Sequence, residues 1–172
     1  MARNIEIKAR AFDLEAVRSQ ARRLAGSEPE ELVQRDTFYQ TPRGRLKLRE
    51  INGKHAELIY YERPDRSGPK TSSYTVSPVS DPRTMHELLA RLFERTATVA
   101  KRRELVLVGP TRVHLDEVEG LGCFLELEVV LADDQSEADG QAIAVRLMDE
   151  LGISSANLVA GAYVDLLAAR ER

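Results

Sequence analysis

The chain is poor in sulfur and in rings. Cys123 is the sole cysteine, tryptophan is missing, and aromatic residues make up 5% of 172 positions. One cysteine excludes an internal disulfide and any cysteine-rich metal site. No apolar run is long enough to span a bilayer, and the N-terminus lacks the apolar core of a secretion signal. These absences predict a cytoplasmic protein with no membrane partner. Basic charge is not in excess either, with Lys+Arg 25 against Asp+Glu 28 and a net charge of −3. General nucleic-acid binding needs a basic surface that displaces counterions, so no nucleic-acid partner is expected. A glycine-rich phosphate loop is also lacking. Gly120-Leu121-Gly122 reads as a turn, because no helix start and no lysine-Ser/Thr pair follow it. Cys123 has no identifiable base beside it and is given no nucleophilic role.

What the chain does have is charge placed on every second residue. Asn4-Ile5-Glu6-Ile7-Lys8, Arg45-Leu46-Lys47-Leu48-Arg49, Arg112-Val113-His114-Leu115-Asp116 and Glu126-Leu127-Glu128 each follow that rule. Side chains alternate faces along a strand, so each stretch has one apolar and one charged face. At this length a core forms without staples, and residues 1–172 read as a single domain.

The local signals predict strands over 3–10, 32–40, 44–51, 55–63, 72–78, 97–108, 111–118 and 123–131. Helices are expected from an Asp13 cap to Leu24 with Gly26 as stop, from Asp81-Pro82 to about Phe93, over 137–151, and over about 156–168. Asn52-Gly53 marks a tight hairpin. The expected apolar stripes are Leu14, Val17, Ala21 and Leu24; Met85, Leu88, Leu89, Leu92 and Phe93; and Ile143, Leu147 and Leu151. Eight strands joined mostly by short turns predict an α+β chain built on an eight-stranded antiparallel β-barrel with flanking helices. Helices with a single apolar stripe need sheet surface to cover. They would take the outer faces and leave the charged faces to line a polar lumen.

Several constellations then carry chemistry. Glu126 and Glu128 share a strand face and suit Mg²⁺ or Mn²⁺, although a solvated face fits the same pattern. Glu6 is a candidate ligand and Lys8 a candidate phosphate donor, against an edge strand with outward charges. Arg45, Lys47 and Arg49 spread three cations along a length suited to a triphosphate, or form a basic ridge. Lys101 and Arg103 share one face while Arg102 and Glu104 share the other, and periodicity does not choose between them. Arg112, His114 and Asp116 share a face, with Asp116 suited to metal ligation or proton acceptance and His114 to a hydrogen-bonding wall. Arg63 and Lys70 flank the loop 64–69 and are placed to close over a ligand or to remain solvated.

This ordered set resembles the CYTH family, the triphosphate tunnel metalloenzymes. The likeness rests on Asn4 to Lys8, Asp36-Thr37-Phe38-Tyr39, Arg45 to Arg49, Lys101-x-Arg103, Val113 to Asp116, Gly122 to Glu128 and Ala162-Tyr163-Val164-Asp165-Leu166-Leu167. It implies an eight-stranded tunnel that binds a triphosphate. By position, Glu6, Glu126 and Glu128 would hold Mg²⁺ or Mn²⁺, and Asp116 and Lys8 would be catalytic. Lys8, Lys47, Arg49, Arg63, Lys101, Arg103 and Arg112 would bind phosphate. Asn4 stands where the family motif has its first glutamate, and Lys47 where an arginine is frequent.

The resemblance implies an enzyme whose partner is a triphosphate small molecule: ATP, tripolyphosphate or thiamine triphosphate. A class IV-type adenylate cyclase comes first. The alternatives are a tripolyphosphatase or thiamine or nucleoside triphosphatase, and third a non-catalytic polyphosphate-binding module, motivated by Asn4. A homodimer is compatible with the family.

Overall fold

The computed structural model describes residues 2–170. Eight strands close on themselves: β1 (Ala2–Arg10), β2 (Glu30–Tyr39), β3 (Arg45–Ile51), β4 (His55–Glu62), β5 (Lys70–Val79), β6 (Arg95–Val108), β7 (Thr111–Val118) and β8 (Gly122–Val130). They pair antiparallel around the barrel in the order β1-β5-β4-β3-β2-β6-β7-β8. The helices are α1 (Leu14–Ala25), α2 (Pro82–Leu92), α3 (Glu137–Glu150) and α4 (Tyr163–Arg170). Among the described residues, no helix is long and apolar enough to cross a membrane.

Local chemistry sets the element ends. The Asp13 side chain accepts from the Ala16 amide, and Gly26 ends α1 in the left-handed region. Asp81 caps α2 through the Thr84 amide, with proline in the first turn. Asn52 and Gly53 both have positive φ, at 54° and 62°, as the central residues of a type I′ turn demand, and with Lys54 they make a three-residue connection between Ile51 and His55.

The alternation is inverted relative to an ordinary globular barrel. Ile5, Ile7, Ala9, Leu125, Leu127 and Val129 are fully buried on the outer face of β1 and β8, beneath α1 and α3. Each of the Ile, Leu and Val side chains contributes about 1.5–3 kcal/mol on burial. α3 lies so close that a Cβ at Gly140 would fall 2.6 Å from Leu131 and 2.7 Å from Ile5. A second cluster joins α2 to the outer faces of β2, β3 and β4 through Tyr39, Leu48, Ala56 and Leu89. The outer face of β5 carries Thr71, Ser73, Thr75 and Ser77, which suit water, while Val79 at its end packs against the α2 cluster.

Two expectations need correction. Leu24, Leu88 and Leu92 are exposed rather than packed, since each helix meets a curved wall along a narrower stripe than its sequence offers. The expected last helix over 156–168 is broken. A 3-10 turn covers Ser155–Asn157, the chain extends through residues 158–162, and α4 starts at Tyr163. Gly161, at φ 80°, makes the break.

Candidate active site: a charged tunnel closed at one end

With the apolar faces covered from outside, the charged faces line a lumen of about 540 Å³. β1 contributes Asn4, Glu6 and Lys8; β2 Gln34 and Asp36; β3 Lys47 and Arg49; and β6 Lys101 and Arg103. Arg112, His114, Glu126 and Glu128 complete the wall from β7 and β8. The phase of β6, open in the sequence, is thereby settled with Lys101 and Arg103 inward. Arg45 is not among the lining residues and instead pairs with Asp65 and Asp165, each at 2.7 Å.

Buried charges persist only when paired. Asp36 accepts from Lys47 at 2.8 Å and from Arg49 through both carboxylate oxygens at 2.7 Å. Burial opposes its charge, but Arg49 and Lys47 hold the carboxyl well below the usual range. Asp116 is wholly enclosed. It accepts two bonds from Arg103 at 2.6 Å and one from the Tyr163 hydroxyl at 2.9 Å, with Lys101 at 3.5 Å. Arg103 and Lys101 outweigh its burial and keep it ionised. Arg103 also reaches Glu126 at 2.6 Å, where Lys8 stands at 3.1 Å on the other side. Burial lowers the ammonium pKa of Lys101 to about 7 and of Lys47 to about 8, each helped by an arginine neighbour.

One end of the lumen is stoppered by residues 158–163. The Gly161 carbonyl accepts from Lys8 at 3.3 Å and from Arg63 at 3.0 Å, and Arg63 also pairs with Glu6. The Tyr163 ring lies 3.7 Å from the Lys8 ammonium and 5.1 Å from that of Lys101, and it packs edge-on against Phe124. Phe38, Val99, Val118, Leu121 and Phe124 form the apolar stopper with it. The sequence marked Tyr163 only as part of a family-like ending, because its partners come from β1, β6 and β7. Lys70 is fully buried beside the loop, donating to the Arg66 carbonyl at 3.0 Å.

Ligand atoms of His114, Glu126 and Glu128 lie within 4.8 Å of one another and could hold a metal ion. The donor set fits a divalent cation on chemical grounds. Glu126 and Glu128 are held ionised against burial, Glu126 chiefly by Lys8 and Glu128 chiefly by His114. Buried Nδ1 of His114 and Oδ1 of Asn4 have no hydrogen-bond partner. Glu6 is the cross-strand neighbour of Glu128 but is engaged by Arg63. Arg112 stands at the open end, 3.7 Å from Glu128.

A family model for the CYTH domain matches residues 2–163. The chain belongs to the CYTH family. This CYTH chain is 26% identical over 171 residues to adenylate cyclase CyaB of Aeromonas hydrophila, covering 92% of itself and 85% of that relative. A solved Pyrococcus horikoshii structure superposes with a TM-score of 0.84 at 25% identity, over 95% of this chain and 98% of the other. The Schizosaccharomyces pombe RNA triphosphatase shares the fold at a TM-score of 0.59 and 14% identity, covering 88% and 83%.

Proposed function

We propose that this CYTH chain is a divalent-metal-dependent enzyme acting on a triphosphate, and that it converts ATP to cyclic AMP and pyrophosphate. The observation that carries the proposal is the lumen: cations from four strands, with Arg63 just after β4, converge in one closed-ended cavity beside a His114-Glu126-Glu128 cluster. The name of the Aeromonas relative supports the cyclase direction.

In this proposal Lys47, Arg49, Lys101 and Arg103 bind phosphate oxygens along one wall, Lys8 and Arg63 bind them at the closed end, and Arg112 does so at the mouth. His114, Glu126 and Glu128 hold Mg²⁺ or Mn²⁺, with Glu6 as a further carboxylate. The metal, when bound, supplies Lewis-acid stabilisation of charge on the phosphate oxygens. The ribose 3′-oxygen forms a bond to the α-phosphorus, and the bond from that phosphorus to the β-bridging oxygen breaks. Arg103 and Lys101 offset the charge that develops on pyrophosphate. Asp116 acts through them, because its oxygens are already committed to Arg103, Lys101 and Tyr163. The 3′-hydroxyl proton passes to solvent water, because Lys101 stays charged against the phosphates beside Tyr163 and the oxygens of Asp116 are already bonded.

Phosphorus NMR of reactions with ATP and with tripolyphosphate, each with Mg²⁺ or Mn²⁺, tests this. Cyclic AMP with pyrophosphate is the expected outcome. Orthophosphate without cyclic AMP would replace cyclisation by hydrolysis and keep the triphosphate assignment. No turnover of either would contradict both.

A further inference from the structure

Lys101 differs from the other enclosed lysines. Lys8 donates to the Gly161 carbonyl, Lys47 to Asp36 and Lys70 to the Arg66 carbonyl. Lys101 lines the lumen with its side chain 3% exposed, yet among the described residues it donates no hydrogen bond. The carboxylate it pairs with is Asp116, whose Oδ2 lies 3.5 Å away, beyond the ordinary N–H···O range of about 2.7–3.2 Å.

The gap has a cause. A carboxylate oxygen has about two lone-pair sites. On Asp116 Oδ2 they are taken by Arg103 Nη2 at 2.6 Å and by the Tyr163 hydroxyl at 2.9 Å. Burial, with Glu126 and Asp116 close by, keeps that hydroxyl protonated, so it remains a donor. The ring of the same tyrosine lies 5.1 Å from the Lys101 ammonium, inside the roughly 6 Å reach of a cation–π contact. Tyr163 thus blocks one partner with its hydroxyl and supports the ammonium with its face.

We propose that Tyr163 is a positioning residue, whose hydroxyl keeps Asp116 from capturing Lys101 and so leaves the Lys101 ammonium free to hydrogen-bond the triphosphate. The inference rests on the triphosphate proposal above and adds a residue to its machinery. An ammonium without a hydrogen bond costs free energy in a buried wall. Closing the gap to about 2.8 Å would give the empty protein a charge-assisted hydrogen bond and deny one to the phosphate. Tyr163 holds the gap open from a distant segment, because Gly161, at φ 80°, turns the chain into α4 and Phe124 packs edge-on against the ring at 5.0 Å.

The test is a double-mutant cycle of Tyr163→Phe and Lys101→Ala, with ATP and tripolyphosphate as substrates and Mn²⁺. Tyr163→Phe keeps the ring, so its contacts with Lys8 and Phe124 at the closed end persist. It should lower kcat/KM about tenfold, the value of one hydrogen bond to a charged group. Lys101→Ala should cost about tenfold or more in the wild type and less than about threefold in the Tyr163→Phe background, where the lysine is already lost to the substrate. A second readout needs no turnover. Burial and Arg103 hold Lys101 near pKa 7, with Arg49 acting in the same direction and Asp116 and Asp36 opposing it. In Tyr163→Phe the lysine settles on Asp116 and is charged before any ligand arrives. Calorimetry of metal-free tripolyphosphate binding at pH 8 should then show less proton uptake than the wild type. The inference is overturned if Tyr163→Phe keeps wild-type kcat/KM, if the two losses multiply independently, or if proton uptake is unchanged. Each of these results leaves the triphosphate proposal standing, because the wild type still turns over. A wild type that turns over neither substrate overturns the proposal and the inference together.

Discussion

Asp36 carries no obvious chemistry, yet two cations depend on it. Lys47 and Arg49 are both partnered by its carboxylate in a nearly water-free wall. Removing one member of a buried ionic set leaves uncompensated charge, so Asp36→Ala should lower stability by about 3–5 kcal/mol in urea unfolding. Excess tripolyphosphate, supplying the missing anion, should recover part of that loss. A loss below about 1 kcal/mol would mean that water already screens the pair. Asn4 poses the opposite case. It lines the lumen one position from Glu6, with its carbonyl oxygen buried and unpartnered. Asn4→Glu adds a charged oxygen there and should tighten Mn²⁺ binding by roughly tenfold, since carboxylate count tunes such sites. Unchanged Mn²⁺ affinity by calorimetry would place position 4 outside the metal's reach.

The element with most leverage is the short stretch between the 3-10 turn and α4. It is tied to β1 by the Val159 amide, which donates to the Lys8 carbonyl at 2.9 Å, and it presents the Gly161 carbonyl to Lys8 and Arg63. Gly161→Ala forces a side chain into the left-handed region, costing about 1–2 kcal/mol, and sets a Cβ 3.4 Å from Asp165. Gly26→Ala imposes the same backbone strain in open space at the end of α1. Both variants should lose similar stability, but only Gly161→Ala should lower kcat/KM, by tenfold or more; equal activity would remove the stopper from the account. This stretch was also where local signals ran out. Caps at Asp13 and Asp81, the Asn52-Gly53 turn and the strand alternation are set by neighbours in sequence, so they were legible. The apolar run near the C-terminus reads as one helix because nothing local shows that its backbone is needed by β1. The phase of β6 was hidden for a related reason, since both of its faces carry charge and only the pairing of Arg103 with Asp116 selects one. The roles of Tyr163 and of Arg63 against Glu6 depend on contacts between residues far apart in sequence, which periodicity does not encode.

At the scale of the whole molecule, a chain with net charge −3 brings seven of its 25 Lys and Arg residues into one cavity. Most of the candidate lumen set was legible as alternation, because closing the barrel turned one strand face into one wall. That concentration has a thermodynamic consequence. Burial holds Lys101 near pKa 7 and Lys47 near 8. A bound triphosphate favours their charged forms and raises both values. Binding should therefore take up protons between about pH 7 and pH 10 and lose that uptake below pH 7, where Lys101 is already charged. Calorimetry of tripolyphosphate at pH 8 in buffers of different ionisation enthalpy reads the proton number directly; identical heats would show no uptake. The central claim is that this tunnel is a metal-dependent triphosphate site, and the most direct test is turnover by the double variant Glu126→Gln, Glu128→Gln. Its circular dichroism should match the wild type while turnover of ATP and tripolyphosphate with Mg²⁺ or Mn²⁺ falls to background. Full turnover in a folded double variant would contradict the account.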